Sequence, residues 1–122
     1  MKRWRSLVED DSTRLHHVLD ACDEILDFTG IMPEKQFLGN RMLHLAVVHL
    51  LEIIGEAANS ISQKIKRKYT SIPWINIVGM RNRLIHGYFD IDLNIVWQTI
   101  KIDVPFLRKE ILYIIQTENF NK

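Results

Sequence analysis

The chain has few of the residues that cross-link or interrupt a small fold. Its 122 residues include one cysteine, Cys22, and three prolines. One cysteine cannot form an internal disulfide, and without a second thiolate it cannot begin a cysteine-based metal site. The length predicts a single domain over residues 1–122, held together by packing, and the cysteine count favours the cytoplasm.

Excess charge and long hydrophobic runs are also scarce. Sixteen basic and fifteen acidic residues leave a net charge of +1, so a polyanion would have to be bound by a local patch. The longest apolar stretch, MLHLAVVHLLEII at 42–54, contains His44, His49 and Glu52 and is shorter than the roughly 18 apolar residues of a membrane span. It predicts a buried helix and no membrane partner. The basic amino terminus has no apolar segment behind it and does not resemble a secretory signal.

Apolar residues recur at helical spacing along the chain, with no useful strand-like alternation. We predict helix one at about Ser12 to Thr29, capped by Asp11 or Ser12 and ended by Gly30. The following segment, GIMPEKQFLGN, carries a proline and two glycines and is predicted to be a loop.

Helix two is predicted from about Asn40 to Arg67 and is apolar on more than one side. One face carries Leu43, Ala46, Val47, Leu50, Ile54, Ala57, Ile61 and Ile65, and a second set, Met42, Leu45, Val48 and Ile53, widens it. Such a helix must be covered on more than one side, by the rest of the bundle or by a second subunit. Gly55 and the alanines near it would let another backbone approach closely.

Two further helices complete the prediction. Helix three begins near Pro73, with Ser71 as its cap, and runs through residues 80–86. Helix four is capped by Asp90 or Asp92, and its apolar positions keep phase across Pro105, which predicts one helix kinked at that proline. The sum is an all-α bundle of about four to five helices.

Two groups of polar residues in helix two have alternative interpretations. His49 and Glu52 could begin a metal site, but a two-metal bundle site needs matching pairs on other helices, and none is present, so no metal is expected. The basic residues near the end of the helix either complement its dipole as a solvated face, the favoured interpretation, or bind RNA phosphates. They are Lys64, Lys66, Arg67 and Lys68.

The stretch MRNRLIHGYFDID, residues 80–92, concentrates groups that bind anions and transfer protons. Arg81 and His86 would lie roughly 140° apart on an unbroken helix. Gly87 is well placed to end the helix and let His86 turn back, and a cleft between two subunits would also bring the pair together. Arg83 lies nearer the face of His86, so on helical geometry alone it competes with Arg81.

The chemistry of this set is coherent. An imidazole exchanges a proton near neutral pH, and a guanidinium donates to a phosphate and to the charge of its transition state. RNA carries its own nucleophile, the 2′-hydroxyl, so these groups can suffice without metal. Spacing alone nevertheless favours a structural interpretation, in which the arginines are surface charges, His86 caps a helix and Tyr88 packs.

The octapeptide RNRLIHGY, residues 81–88, resembles the R-x4-H-x-Y motif of HepT-like toxins in the HEPN superfamily. The surrounding stretches LLEIIGEAANSIS and IPWINIVGMRNRLIHGYFDIDLNIVWQTI, and the proline in the last helix, are similar too. The resemblance extends from about helix one to Ile115. A bare R-x4-H is weak evidence, whereas the extended stretches in this order are specific.

This resemblance implies an all-α HEPN homodimer in which the motifs of both subunits line one cleft. It implies a metal-independent endoribonuclease without cofactor that cleaves transfer or messenger RNA as a toxin. By position, Arg81 and His86 become the catalytic pair, while Asn82 and Arg83 become cleft-lining residues. Tyr88 becomes the residue to which a minimal nucleotidyltransferase antitoxin attaches AMP.

The main alternative is a non-catalytic helical module that is the partner or substrate of a nucleotidyltransferase. The intact Arg–His pair favours the enzyme, because a pure binding module needs no proton-transfer group beside its arginine. A metal-dependent bundle enzyme is disfavoured by the missing ligand pairs.

Overall fold

The computed structural model describes residues 10–86 and 90–121, and describes His86 by its backbone only. Its helices are α1 (Asp11–Thr29), α2 (Glu34–Leu38), α3 (Arg41–Asn59), α4 (Gln63–Lys68), α5 (Trp74–Val78), α6 (Met80–Leu84), α7 (Leu93–Gln98) and α8 (Val104–Thr117). Two antiparallel strands of two residues each, β1 (Ile85–His86) and β2 (Asp90–Ile91), follow α6. A π turn, Thr99–Asp103, joins α7 to α8. The predicted all-α class is confirmed.

Helix α1 begins one residue before its predicted start and ends where predicted, but its cap was wrongly assigned. The Asp10 carboxylate accepts from the Thr13 N–H at 2.9 Å, and this bond lowers the pKa of Asp10 because it favours the charged form. At the other end Gly30 adopts φ 51° and its N–H donates to the Leu26 carbonyl. Helix α1 packs against α3 and α8 and provides much of the core.

Predicted helix two is two helices, α3 and α4, separated at residues 60–62. The break has local and distant causes. The Ser62 hydroxyl caps α4 by accepting from the Ile65 N–H. The Asp11 carboxylate accepts from the Ser62 N–H at 2.8 Å and from its hydroxyl at 2.6 Å. Because the Ser62 N–H donates to Asp11, it cannot donate to a carbonyl of α3 and continue that helix. Asp11 lies 51 residues away along the chain.

The predicted loop over residues 30–40 contains the short helix α2, which is anchored by the fully buried ring of Phe37. The Phe37 carbonyl lies 2.6 Å from His44 Nε2. Because a carbonyl only accepts, the imidazole donates at that nitrogen. His44 is also buried, so its role is structural.

The single predicted helix three is divided at Gly79 into α5 and α6. Pro73 stands at the N-cap of α5 without a side-chain capping bond, so Ser71 is not the cap. Helix α6 ends at Leu84, and Ile85 is already extended, so the helix does not continue to Gly87. Asp92 caps α7 through the Ile95 N–H, whereas Asp90 pairs with His86 in the strands.

Predicted helix four is helical from Leu93 to Thr117, with the π turn immediately before α8. Pro105 has no N–H for an α-helical bond, and the distortion near it takes the form of this wider turn. The π turn also explains the apolar spacing. Val96, Ile100 and Val104 are all buried, although two steps of four residues would drift about 80° around a regular α-helix.

Helices α3 and α5 approach each other closely at Gly55. A Cβ at this position would lie 3.2 Å from the Ile77 carbonyl oxygen and 3.6 Å from that of Val78. The predicted close approach at Gly55 is therefore present, and the neighbouring backbone belongs to the same chain. It brings α5 and the start of α6 onto α3.

We expect Gly55→Val to lower the free energy of unfolding by about 2 kcal/mol, because the larger side chain overpacks against backbone that cannot rotate away. Urea unfolding monitored by circular dichroism measures this change. Gly39→Val is the matched control, since a Cβ there meets no atom closer than 3.9 Å. Equal unfolding midpoints for the two variants would show that α5 moves freely from α3.

Candidate active site

The short helix α6 presents the polar half of the motif to solvent. Its first and last residues, Met80 and Leu84, are buried and anchor the helix, and Arg81, Asn82 and Arg83 between them are exposed. Because α6 lies on α3, these side chains project from the surface beside the most apolar helix of the chain.

Arg81 is oriented by a carboxylate from α3. Its Nε donates to Glu52 Oε2 at 2.9 Å, with 59% of the arginine side chain and 33% of the glutamate side chain exposed. A guanidinium has five N–H donors. The bond to Glu52 uses one of them, so the four N–H groups on the terminal nitrogens remain to donate to a ligand. An arrangement of this kind suits the binding of a phosphate.

The ion pair lies in an open pocket of about 200 Å³ between α3 and the α5–α6 segment. Its lining residues are Leu51, Glu52, Gly55, Glu56, Asn59, Val78 and Arg81. Sequence reasoning missed the role of Glu52, which was considered only as a metal ligand. The two partners are 29 residues apart, and no local signal connects them.

The chain leaves the helical conformation between Arg81 and His86. The backbone of His86 lies in β1, opposite Asp90 in β2. The angular separation calculated for an unbroken helix therefore does not apply to this pair, and neither does the argument that placed Arg83 nearer to His86. Gly87 and Tyr88 lie outside the described residues.

Arg83 lies at a different cavity from Arg81. It lines a space of about 100 Å³ together with Asp103 and Phe106, among others, on the side of the π turn. Within the described residues, Arg81 and Arg83 thus line separate pockets, although they are two positions apart.

The histidines and acids of α3 do not form a cluster. His49 is exposed, while Glu52 binds Arg81. In the part of the chain that the structure describes, no group of three histidine, cysteine or acidic side chains could hold a metal ion. Helix α3 is also the one described helix long and apolar enough to cross a membrane, and half of its apolar window is buried against the rest of the fold.

The basic run of α4 is divided between two surfaces. Lys68 forms a 2.6 Å ion pair with Glu118 at the end of α8. This bond, the Tyr69 hydroxyl and the charge of Lys64 lower the pKa of Glu118. Lys66 instead donates to the Asn59 carbonyl at 3.3 Å, and Arg67 is exposed beside it. The predicted interaction of the whole run with the helix dipole therefore does not separate Lys68 from Lys66 and Arg67. That separation depends on Glu118, which lies 50 residues from Lys68.

Comparison with known proteins identifies similar chains. Residues 18–114 match the family described as "Ribonuclease HepT-like". The protein named "Putative RNase MJ1380" of Methanocaldococcus jannaschii is 39% identical over 97 residues, which cover 80% of this chain and 89% of that protein. "Probable ribonuclease HepT" of Thermococcus cleftensis is 38% identical over 94 residues, covering 77% and 86%. No solved structure matches this chain.

Proposed function

This chain belongs to the HepT-like ribonuclease family, and from that membership we propose that it is a toxin, a metal-independent endoribonuclease of the cytoplasm. The observation that carries the proposal is the Arg81–Glu52 pair. It orients an exposed guanidinium on α6, five residues before His86. Orientation by a neighbour reduces the entropy that the side chain loses when a phosphate binds.

The proposed reaction is transfer within the RNA backbone. The 2′-oxygen attacks phosphorus, the bond from phosphorus to the 5′-oxygen breaks, and a 2′,3′-cyclic phosphate forms. Arg81 donates to the non-bridging oxygens, whose negative charge grows in the transition state. His86 accepts the proton of the 2′-hydroxyl, and the departing 5′-oxygen takes a proton from the second imidazole of the dimer cleft. Asn82 lines this cleft beside Arg81.

Incubation of the purified protein with transfer RNA in EDTA tests the proposal. We expect cleavage to continue, and the fragments to carry a 2′,3′-cyclic phosphate and a 5′-hydroxyl, because the nucleophile belongs to the substrate. Denaturing gels with end-specific labelling measure both. Cleavage that EDTA stops and Mg²⁺ restores would contradict metal independence, and fragments ending in a 3′-hydroxyl would contradict attack by the 2′-hydroxyl.

The exposed face of α3 supports the dimer. Of the residues predicted to widen its apolar face, Val48 is buried and Ile53 is half-buried, whereas Met42 and Leu45 are 83% and 50% exposed. The exposed pair continues through His49 to Glu52 at three- and four-residue steps, which is one helical face. Covering apolar area gains roughly 25 cal/mol per Å². Twofold pairing along this stripe would also bring the two Arg81–Glu52 pairs towards one cleft.

We further propose that a minimal nucleotidyltransferase acts as the antitoxin and neutralises the protein by attaching AMP to Tyr88. Tyr88 follows His86 by two positions. An adenylyl group there would carry negative charge beside the groups that receive an RNA phosphate. Repulsion between the two anions and the volume of the adduct would both oppose substrate binding.

A further inference from the structure

A surface groove lies between α4 and α5, next to the pocket of Arg81. Its volume is about 510 Å³. Its lining residues are Asn59, Gln63, Lys66, Arg67, Thr70, Trp74, Ile75 and Val78. We call this the α4–α5 groove. Among the described residues that line it there are two cations and no carboxylate, so this groove attracts anions.

The α4–α5 groove adjoins the pocket of Arg81. Asn59 and Val78 line both. Along α3, the seven helical steps from Glu52, which binds Arg81, to Asn59, which binds Lys66, span about 10 Å at the α-helical rise. A short single-stranded segment of RNA can cover that distance.

The two cations of the groove differ from the other two of the same helix. Lys66 is held over the groove by its bond to the Asn59 carbonyl, and Arg67 is exposed in it. Lys68 is paired with Glu118, and the charge of Lys64 also acts on that carboxylate. Helix α4 therefore presents Lys66 and Arg67 to the groove, whereas Lys68 is paired with Glu118 and Lys64 does not line the groove.

The apolar lining of the groove suits nucleobases. Ile75 is 88% exposed, and Trp74, which is 8% exposed, also lines the groove while its indole N–H donates to the Tyr69 carbonyl. Proteins that bind single strands combine cations for the backbone with apolar or aromatic surfaces for the bases. Glu52 and Glu56 both line the pocket of Arg81, where their charges oppose a phosphate. The groove, with Lys66 and Arg67 and no carboxylate among its described lining residues, is therefore the more attractive of the two surfaces for an anion.

We propose that the α4–α5 groove holds the single-stranded RNA that flanks the cleaved phosphate, with Lys66 and Arg67 on its phosphates and Ile75 against a base. The proposal rests on the ribonuclease function proposed above, and it assigns the substrate-binding surface to half of the basic run. Substrate choice would then favour RNA with an unpaired segment beside the cut site.

The test compares two double variants with the same change in net charge. Lys66→Gln with Arg67→Gln removes the groove cations, and Lys64→Gln with Lys68→Gln removes the two cations of α4 that do not line the groove. Fluorescence anisotropy with a labelled single-stranded 2′-O-methyl RNA, which lacks the attacking hydroxyl, measures affinity at several salt concentrations. We expect the groove variant to bind on the order of tenfold more weakly. Its salt slope should fall by roughly 0.7 for each phosphate that the variant no longer neutralises.

The matched variant should bind like the wild type. Equal loss of RNA affinity in both double variants would overturn the groove proposal, because the net positive charge of α4 would then account for binding without the groove. Circular dichroism confirms that each variant is folded. Cleavage of unmodified RNA by the wild type is measured in parallel and separates the two proposals. If the wild type cleaves RNA but the groove variant binds as tightly as the wild type, the groove proposal is wrong and the ribonuclease proposal stands. If the groove variant binds more weakly but the wild type does not cleave RNA, the ribonuclease proposal is wrong and the groove proposal stands.

Discussion

Arg81→Ala and His86→Ala are each expected to reduce RNA cleavage by roughly a hundredfold to a thousandfold, and to relieve growth inhibition in cells that express the protein. Loss of Arg81 removes the donors that balance the charge developing on the phosphate. Loss of His86 removes the group that takes the proton of the 2′-hydroxyl. Initial rates on a labelled transfer RNA, with growth curves after induction, measure the two effects.

The Arg81→Ala protein should stay folded. Its ion pair with Glu52 is largely exposed, and pairs of this kind contribute about 0–1 kcal/mol to stability. Unfolding midpoints and sedimentation should therefore match the wild type. A wild type that sediments as a monomer at micromolar concentration and still cleaves RNA fully would contradict the shared cleft.

Arg83→Ala is the control for Arg81. It removes the same charge two positions away, from a side chain that lines the separate cavity beside the π turn, and it should reduce cleavage much less. A harmless Arg81→Ala together with a silencing Arg83→Ala would reverse the assignment made from the family motif. A wild type that binds RNA and never cuts it would favour the non-catalytic binding module.

The second large effect concerns Tyr88. Co-expression with the cognate nucleotidyltransferase should add one or more adenylyl groups to the protein and silence its cleavage of RNA. In this transfer the Tyr88 oxygen forms a bond to the α-phosphorus of ATP, pyrophosphate leaves, and the phenolic proton is released. Intact-mass spectrometry of the purified protein measures the adduct, and the cleavage assay measures its consequence.

Tyr88→Phe should escape modification and remain toxic beside the nucleotidyltransferase. The other two tyrosines provide the controls. Tyr69 donates to Glu118, and burial together with this bond raises its pKa to about 12, so its hydroxyl stays protonated and occupied by that carboxylate. Tyr113 is 57% exposed, so Tyr113→Phe tests whether exposure alone is enough and should leave modification intact. An adduct that persists in Tyr88→Phe would remove Tyr88 from the mechanism.

The sequence predicted best those features that depend on neighbouring residues. Helix α1 was placed within one residue because its buried positions and Gly30 are local signals. The division of helix two was missed because the Ser62 backbone is bound by Asp11, and the pairing that orients Arg81 was missed because its partner is Glu52. Both partners are distant along the chain. Similarly, nothing near Lys64 and Lys68 in the sequence indicates Glu118.

The π turn at Thr99–Asp103 allows the chain to change its length by one residue at this point. A turn closed by bonds five residues apart holds about one residue more than an α turn, so deleting one residue within it would leave a regular α turn and keep α8 close to its present orientation. A residue deleted beyond Leu107 would instead rotate the rest of α8 by about 100°, and Ile111 and Ile114, now buried, would leave the core together. During evolution single deletions should therefore be tolerated in the π turn and removed by selection from α8.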